Sequence, residues 1–104
     1  ESFDLARKYD LKILWGTDVF GGDAIFQKCT QEFAFRDEFW SPIEQMQQVT
    51  GNNAEVLALS GLKNPYPEAQ LGVIRSGAYA DIILVNGDPT TNIKLLMDAE
   101  RNID

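Results

Sequence analysis

Apolar and polar positions along the chain change period several times, and each change marks an element. Phe3, Leu5, Ala6 and Tyr9 recur at helical spacing after Ser2, and Asp10 closes that short helix. Leu11 to Trp15 follows as a compact apolar run, read as a strand, so the first unit is an αβ pair with a tight connection. Residues 16–29 carry Gly16, Gly21 and Gly22, followed by Phe26 and Cys29, and read as a loop. Connections in compact domains usually run to roughly 2–6 residues, so a loop this long after a strand points to function. Thr30 to about Trp40 reads as helical, with Phe33, Phe35, Phe39 and Trp40 as candidates for the core. Arg36 in that stretch is expected to face solvent or a carboxylate, and Glu32, Asp37 and Glu38 a solvated face.

Ser41-Pro42-Ile43-Glu44 has the form of a helix start: a capping serine, proline at the first helical position and glutamate three residues after the cap. This helix is predicted to run to about Val49. A second, Ala54 to Leu59, restarts after Thr50-Gly51-Asn52-Asn53 and ends at Gly61, giving a helical hairpin or bend. Beyond Gly61 the pattern changes. Pro65 and Pro67 mark an extended linker, Leu71 to Ile74 is a strand candidate, and Arg75 to Ala78 a turn. Ala80 to Val85 is the clearest strand, stopped by the turn residues Asn86-Gly87-Asp88-Pro89. Ile93, Leu95, Leu96 and Met97 then suggest a short helical turn, and Glu100 to Asp104 shows no stop signal. There is no internal repeat and no low-complexity segment.

Composition narrows the function classes. The 104 residues suit one small domain, and 44% hydrophobic with 24% charged residues is ordinary for a globular protein. Nine basic against sixteen acidic residues give a net charge of -7. That balance argues against a nucleic-acid or anionic-membrane partner, both of which select clustered Lys and Arg. The apolar runs are too short to span a bilayer. Cys29 is the single cysteine, so no intrachain disulfide is expected, which fits a reducing compartment. The chain starts Glu1-Ser2-Phe3 without an initiator methionine, inside what reads as a helix, and is therefore expected to be a processed or truncated polypeptide.

Candidate chemistry is sparse. The chain has no histidine, so Cys29 has no imidazole to form a Cys–His nucleophile. Gly21-Gly22 makes neither a phosphate loop nor a dinucleotide fingerprint. Gly16-Thr17-Asp18 places a carboxylate after a sharp backbone turn at the end of a strand. There it can bind a divalent metal or take a proton from metal-bound water; a plain Asx turn is the simpler reading of the tripeptide alone. Asp81, opening an apolar run, is expected to orient backbone and not to catalyse.

In this order the pieces resemble the C-terminal part of a metal-dependent amidohydrolase, in the branch of imidazolonepropionase-like and prolidase-like enzymes. Gly16-Thr17-Asp18 matches that family's last barrel strand, and Thr50-Gly51-Asn52-Asn53-Ala54 its Thr-x-Asn-x-Ala corner. Leu57 to Leu62, the Leu-Gly-x-Ile-x-x-Gly-x-x-Ala-Asp pattern from Leu71 to Asp81, and Gly87-Asp88-Pro89 complete the likeness. The resemblance implies an α/β fold: the last βα units of a (β/α)8 barrel over residues 1–62, then strands of a small composite β-sandwich over 63–104. It implies that Asp18 is both metal ligand and proton shuttle. The family's His-x-His pair, its carbamylated lysine or glutamate and its later histidines have no counterpart here.

The resulting expectation is a C-terminal piece of a hydrolase of C–N bonds in an amide, cyclic amide or dipeptide. The parent would use a divalent metal, most simply zinc, and the isolated chain would bind none and be inactive. Exposed barrel-lining surface would lead it to self-associate or to meet a chain supplying the rest of the barrel. The competing reading is a non-catalytic scaffold or interaction module with no metal site, in which Asp18 is an ordinary loop residue. Phe20, Phe26 and the paired glycines would permit an apolar substrate wall without naming the substrate.

Overall fold

A computed structural model describes residues 1–22, 25 and 28–104. Helix α1 spans Ser2–Lys8 and ends at Tyr9; Asp10 then turns the chain through a left-handed φ of 49°. Residues 11–20 carry no helix, turn or strand; burial alternates along 13–17 as in extended backbone, and Asp18 departs from it at a left-handed φ of 48°. A 3-10 turn over Cys29–Gln31 leads into α2, Glu32–Arg36.

Helix α3, Pro42–Gln47, starts as its residue types dictate. Ser41 Oγ accepts from the Glu44 backbone N–H, and the Glu44 carboxylate accepts in return from the Ser41 N–H. Bonded to the Ser41 hydroxyl and N–H, the Glu44 carboxyl sits below its ordinary value. The helical hairpin or bend expected at Thr50 gives way to a continuous helical run. The backbone stays helical through a π-helical stretch, Gln48–Asn52, into α4, Asn53–Ala58. Gly61 takes a left-handed φ of 58° and opens a 3-10 turn, Gly61–Lys63. Near the C-terminus lie a 3-10 helix over Ile93–Met97 and the short α5, Ala99–Asn102.

The expected βα-barrel units and β-sandwich strands are corrected by this structure: among the described residues there is no strand and no sheet. A strand is defined by its ladder, and the predicted segments lack one. Leu11–Trp15 is extended without a neighbouring strand. Leu71–Ile74 lies in a loop bent by left-handed glycines, Gly72 at φ 76° and Gly77 at φ 82°, and tied where Tyr79 N–H donates to Gln70 O at 3.0 Å. Ala80–Val85 pairs its backbone with the chain's own tail, through an isolated antiparallel bridge between Val85 and Ile103. Apolar patterning in the sequence marks runs that could pair; without a partner strand beside them, none of the three forms a ladder.

The core is small. Ala6, Phe33, Trp40 and Ile93 are its buried apolar side chains, and Ile93 brings the 93–97 helix against α2 and α3. Phe3 stacks edge-on against Phe39 and Trp40, with ring centroids 5.1 and 4.7 Å apart. Phe35, by contrast, is exposed. Much apolar surface remains open: Leu62, Ile74, Phe20 and Leu59 are all more than four-fifths exposed. No described helix is long and apolar enough to cross a membrane.

Candidate functional site

The extended segment alternates as a strand would. Ile13, Trp15, Thr17 and Val19 are half-buried, and Leu14, Gly16, Asp18 and Phe20 are exposed. Asp18 therefore stands on the open face, with its backbone in the left-handed region at φ 48°, which aspartate tolerates better than most residues. The Gly16 position is open, with nothing within 4 Å of where a side chain would begin.

Helix side chains do for this segment what a neighbouring strand normally does. Asn53 Oδ1 accepts from the Trp15 N–H at 3.0 Å, and Asn53 Nδ2 donates to the Trp15 carbonyl at 2.9 Å. Asn52 Nδ2 donates to the Ile13 carbonyl at 2.8 Å. In extended backbone, groups of residues 13 and 15 point to one edge and those of residue 14 to the other. On that other edge Arg36 Nη1 donates to the Leu14 carbonyl at 2.9 Å. The segment is gripped on both edges, and the π-helical stretch brings two successive asparagines to one of them.

Arg36 departs from the solvent-facing alternative. It is 5% exposed, bonds Glu32 through Nε at 2.6 Å and Gln48 Oε1 through Nη1 at 2.8 Å, and lies 5.5 and 5.7 Å from the ring centroids of Phe3 and Trp40. Of the three acidic residues expected on a solvated face, Glu32 is thus paired inward and Asp37 meets Lys94 at 3.0 Å; Glu38 is exposed. Trp15 packs its ring 4.9 Å from that of Phe33.

A metal site does not assemble from these residues alone. Among the described residues no three His, Cys, Asp or Glu side chains come together, and Asp18 is a single carboxylate in a chain without histidine. About three protein ligands are usual for catalytic zinc. Cys29 is a free, half-buried thiol. Phe20 is exposed, while Phe26, the other half of the expected apolar wall, lies outside the described residues.

Among the described residues, clefts flank the helices on two sides. One, of about 300 Å³, lies between α4 and residues 64–73. The other, of about 450 Å³, is lined by Met46, Val49, Ile82, Ile83, Val85 and Leu96, with exposed Asp81 also in its wall. Asp18 lines neither.

Asn52, Asn53 and Arg36 hold the segment that carries Asp18, a role that spacing alone did not disclose. The available signal was two adjacent asparagines inside a helical pattern, where their side chains compete with the backbone and need some other occupation.

No family model matches the chain, and no curated protein matches it. Among solved structures it is similar to the crystal structure of an amidohydrolase, with a TM-score of 0.80 and 29% sequence identity. The match covers 98% of this chain and 22% of that one, so the chain spans about a fifth of that amidohydrolase's length. The likeness supports the amidohydrolase superfamily at large.

Proposed function

We propose that this chain forms part of a metal-dependent hydrolase of C–N bonds, acting on an amide, cyclic amide or dipeptide, in the imidazolonepropionase-like and prolidase-like branch. The observation that carries the reading is the amidohydrolase likeness over 98% of the chain, together with the display of Asp18 at the open end of the 11–20 segment. Asp18 is the residue assigned to metal binding, with zinc the simplest candidate, and to holding a proton during hydrolysis. Further donors are needed beside it, since one carboxylate does not hold a catalytic zinc. By itself the chain is expected to be inactive.

The test is metal content per chain of the purified protein, with Asp18→Ala as control. Near-stoichiometric zinc that disappears in the variant supports Asp18 as a ligand completed by other copies or another chain. Zinc retained in the variant overturns the assignment. Absence of metal from both proteins removes the metal-site reading from this chain by itself.

A non-catalytic interaction module with no metal site is the second reading; the open apolar surface at Leu62, Ile74 and Ile82–Leu84 is compatible with both. Self-association through that surface is proposed under either reading. Light scattering across a dilution series checks it, and a monomer at all concentrations would count against it.

A further inference from the structure

We infer that Asn53 is a positioning residue for Asp18, acting through the Trp15 peptide; the inference rests on reading Asp18 as the site carboxylate. Asn53 engages both hydrogen-bonding groups of Trp15, at 3.0 and 2.9 Å, as a paired strand residue would. That double contact fixes the register of the segment three residues before Asp18. Register matters because side chains alternate: a slip by one residue would carry Asp18 from the open face to the helix-packed face. Among the described residues no neighbouring strand sets the register, so the duty falls on side chains.

The division of labour follows from the distances. Arg36 holds the opposite edge at Leu14 O, but with a single donor it restrains a point and not a peptide plane. Asn52 likewise makes one contact, to Ile13 O. Asn53 alone supplies both an acceptor and a donor to one residue, and its amide matches the Trp15 peptide group for group. It can do so because the π-helical stretch ends at Asn52, leaving Asn53 to open α4 toward the segment.

Amide-resolved magnetic resonance on the full chain tests this with Asn53→Ala, Asn53→Asp and a control, Ile93→Val, that loosens the core away from the segment. The inference expects Asn53→Ala to keep its helical signals while Trp15 amide exchange accelerates by about tenfold or more. It also expects the Asp18 carbon shifts to lose the signature of a left-handed backbone. Asn53→Asp keeps the acceptor for Trp15 N–H but turns an oxygen on Trp15 O, so it should fall between parent and Asn53→Ala. Asp18 shifts that superimpose on the parent in Asn53→Ala overturn the inference, as does an equal change in Ile93→Val. Should Asn53→Ala fail to fold, Asn53→Asp against Ile93→Val decides by the same two readouts. None of these readouts needs a metal, so failure of the metal assignment at Asp18 and failure of the positioning role are seen separately.

Discussion

Arg36 Nε lies 2.6 Å from Glu32 Oε1 one helical turn earlier, and this pair sits at the junction of α1, α2 and the 11–20 segment. The guanidinium is the better buried partner, at 6% side-chain exposure against 19% for the carboxylate. Removing it strands three acceptors at once: Glu32, the Leu14 carbonyl and Gln48 Oε1. Arg36→Met is expected to cost about 3–5 kcal/mol in denaturant unfolding. Arg36→Lys should recover only part of that, because an ammonium lacks the planar fork that reaches these acceptors together. Full recovery by lysine would mean that charge alone matters.

Gly72 marks a second close approach. A Cβ built there would lie 2.7 Å from the Thr50 carbonyl oxygen and 3.0 Å from Ala54 Cβ, at a backbone φ of 76°. The Leu71-Gly72 part of the sequence pattern thus has a physical reason: this loop crosses the π-helical stretch where only a hydrogen fits. Gly72→Ala is expected to lower stability by about 2–3 kcal/mol, combining strain with the clash. Gly77, at φ 82° with open space around it, isolates the backbone term, and Gly77→Ala should cost about 1–2 kcal/mol. Equal losses would argue against the contact with Thr50.

The capping box of α3 gives a pH signature. Ser41→Ala is expected to cost about 1 kcal/mol. Because hydrogen bonds from Ser41 depress the Glu44 carboxyl, its stabilising contribution is present above the ordinary value of 4.5 and is lost as pH falls through the lower folded value. Glu44→Gln keeps the shape of the cap without the charge. Its unfolding midpoint should fall short of the parent's near neutral pH and approach it as pH drops to about 3. A gap that stays constant with pH would exclude the carboxylate as the cause.

Among the described residues Ile93 is the most deeply buried apolar side chain, at 1% exposure. It fastens the 93–97 helix to α2 and α3 alongside the Thr30 hydroxyl, which donates to Met97 O at 3.1 Å. Ile93→Val should cost about 0.5–1.5 kcal/mol and Ile93→Ala about 2–5 kcal/mol, read from chemical denaturation. An alanine variant as stable as the parent would mean that the C-terminal segment contributes nothing to the core.

Short-range features were legible residue by residue. Asp10 does close α1, Ser41 and Glu44 do cap α3, and Gly61 does turn left-handed after α4. Thr50-Gly51-Asn52-Asn53 reads as a corner because glycine and paired asparagines are poor helix formers. Here the backbone widens into a π-helical turn, and the asparagine amides find carbonyls on residues 13 and 15. The carboxylate at Asp18 was equally visible in the sequence, but its place on the open face was not.

The sequence by itself determined what depends on neighbours three or four positions apart: the capped start of α3 at Ser41 and Glu44, the end of α1 before Asp10, and the turn at Gly61. The free energies behind those features are local. Tertiary structure alone decided whether an extended run becomes a strand, where Arg36 goes and what holds Asp18 in register. Each of those depends on groups 12 to 39 positions apart meeting at hydrogen-bond distance. Apolar alternation records that a segment has two faces; it carries no record of which backbone, or which asparagine, will lie along its edge.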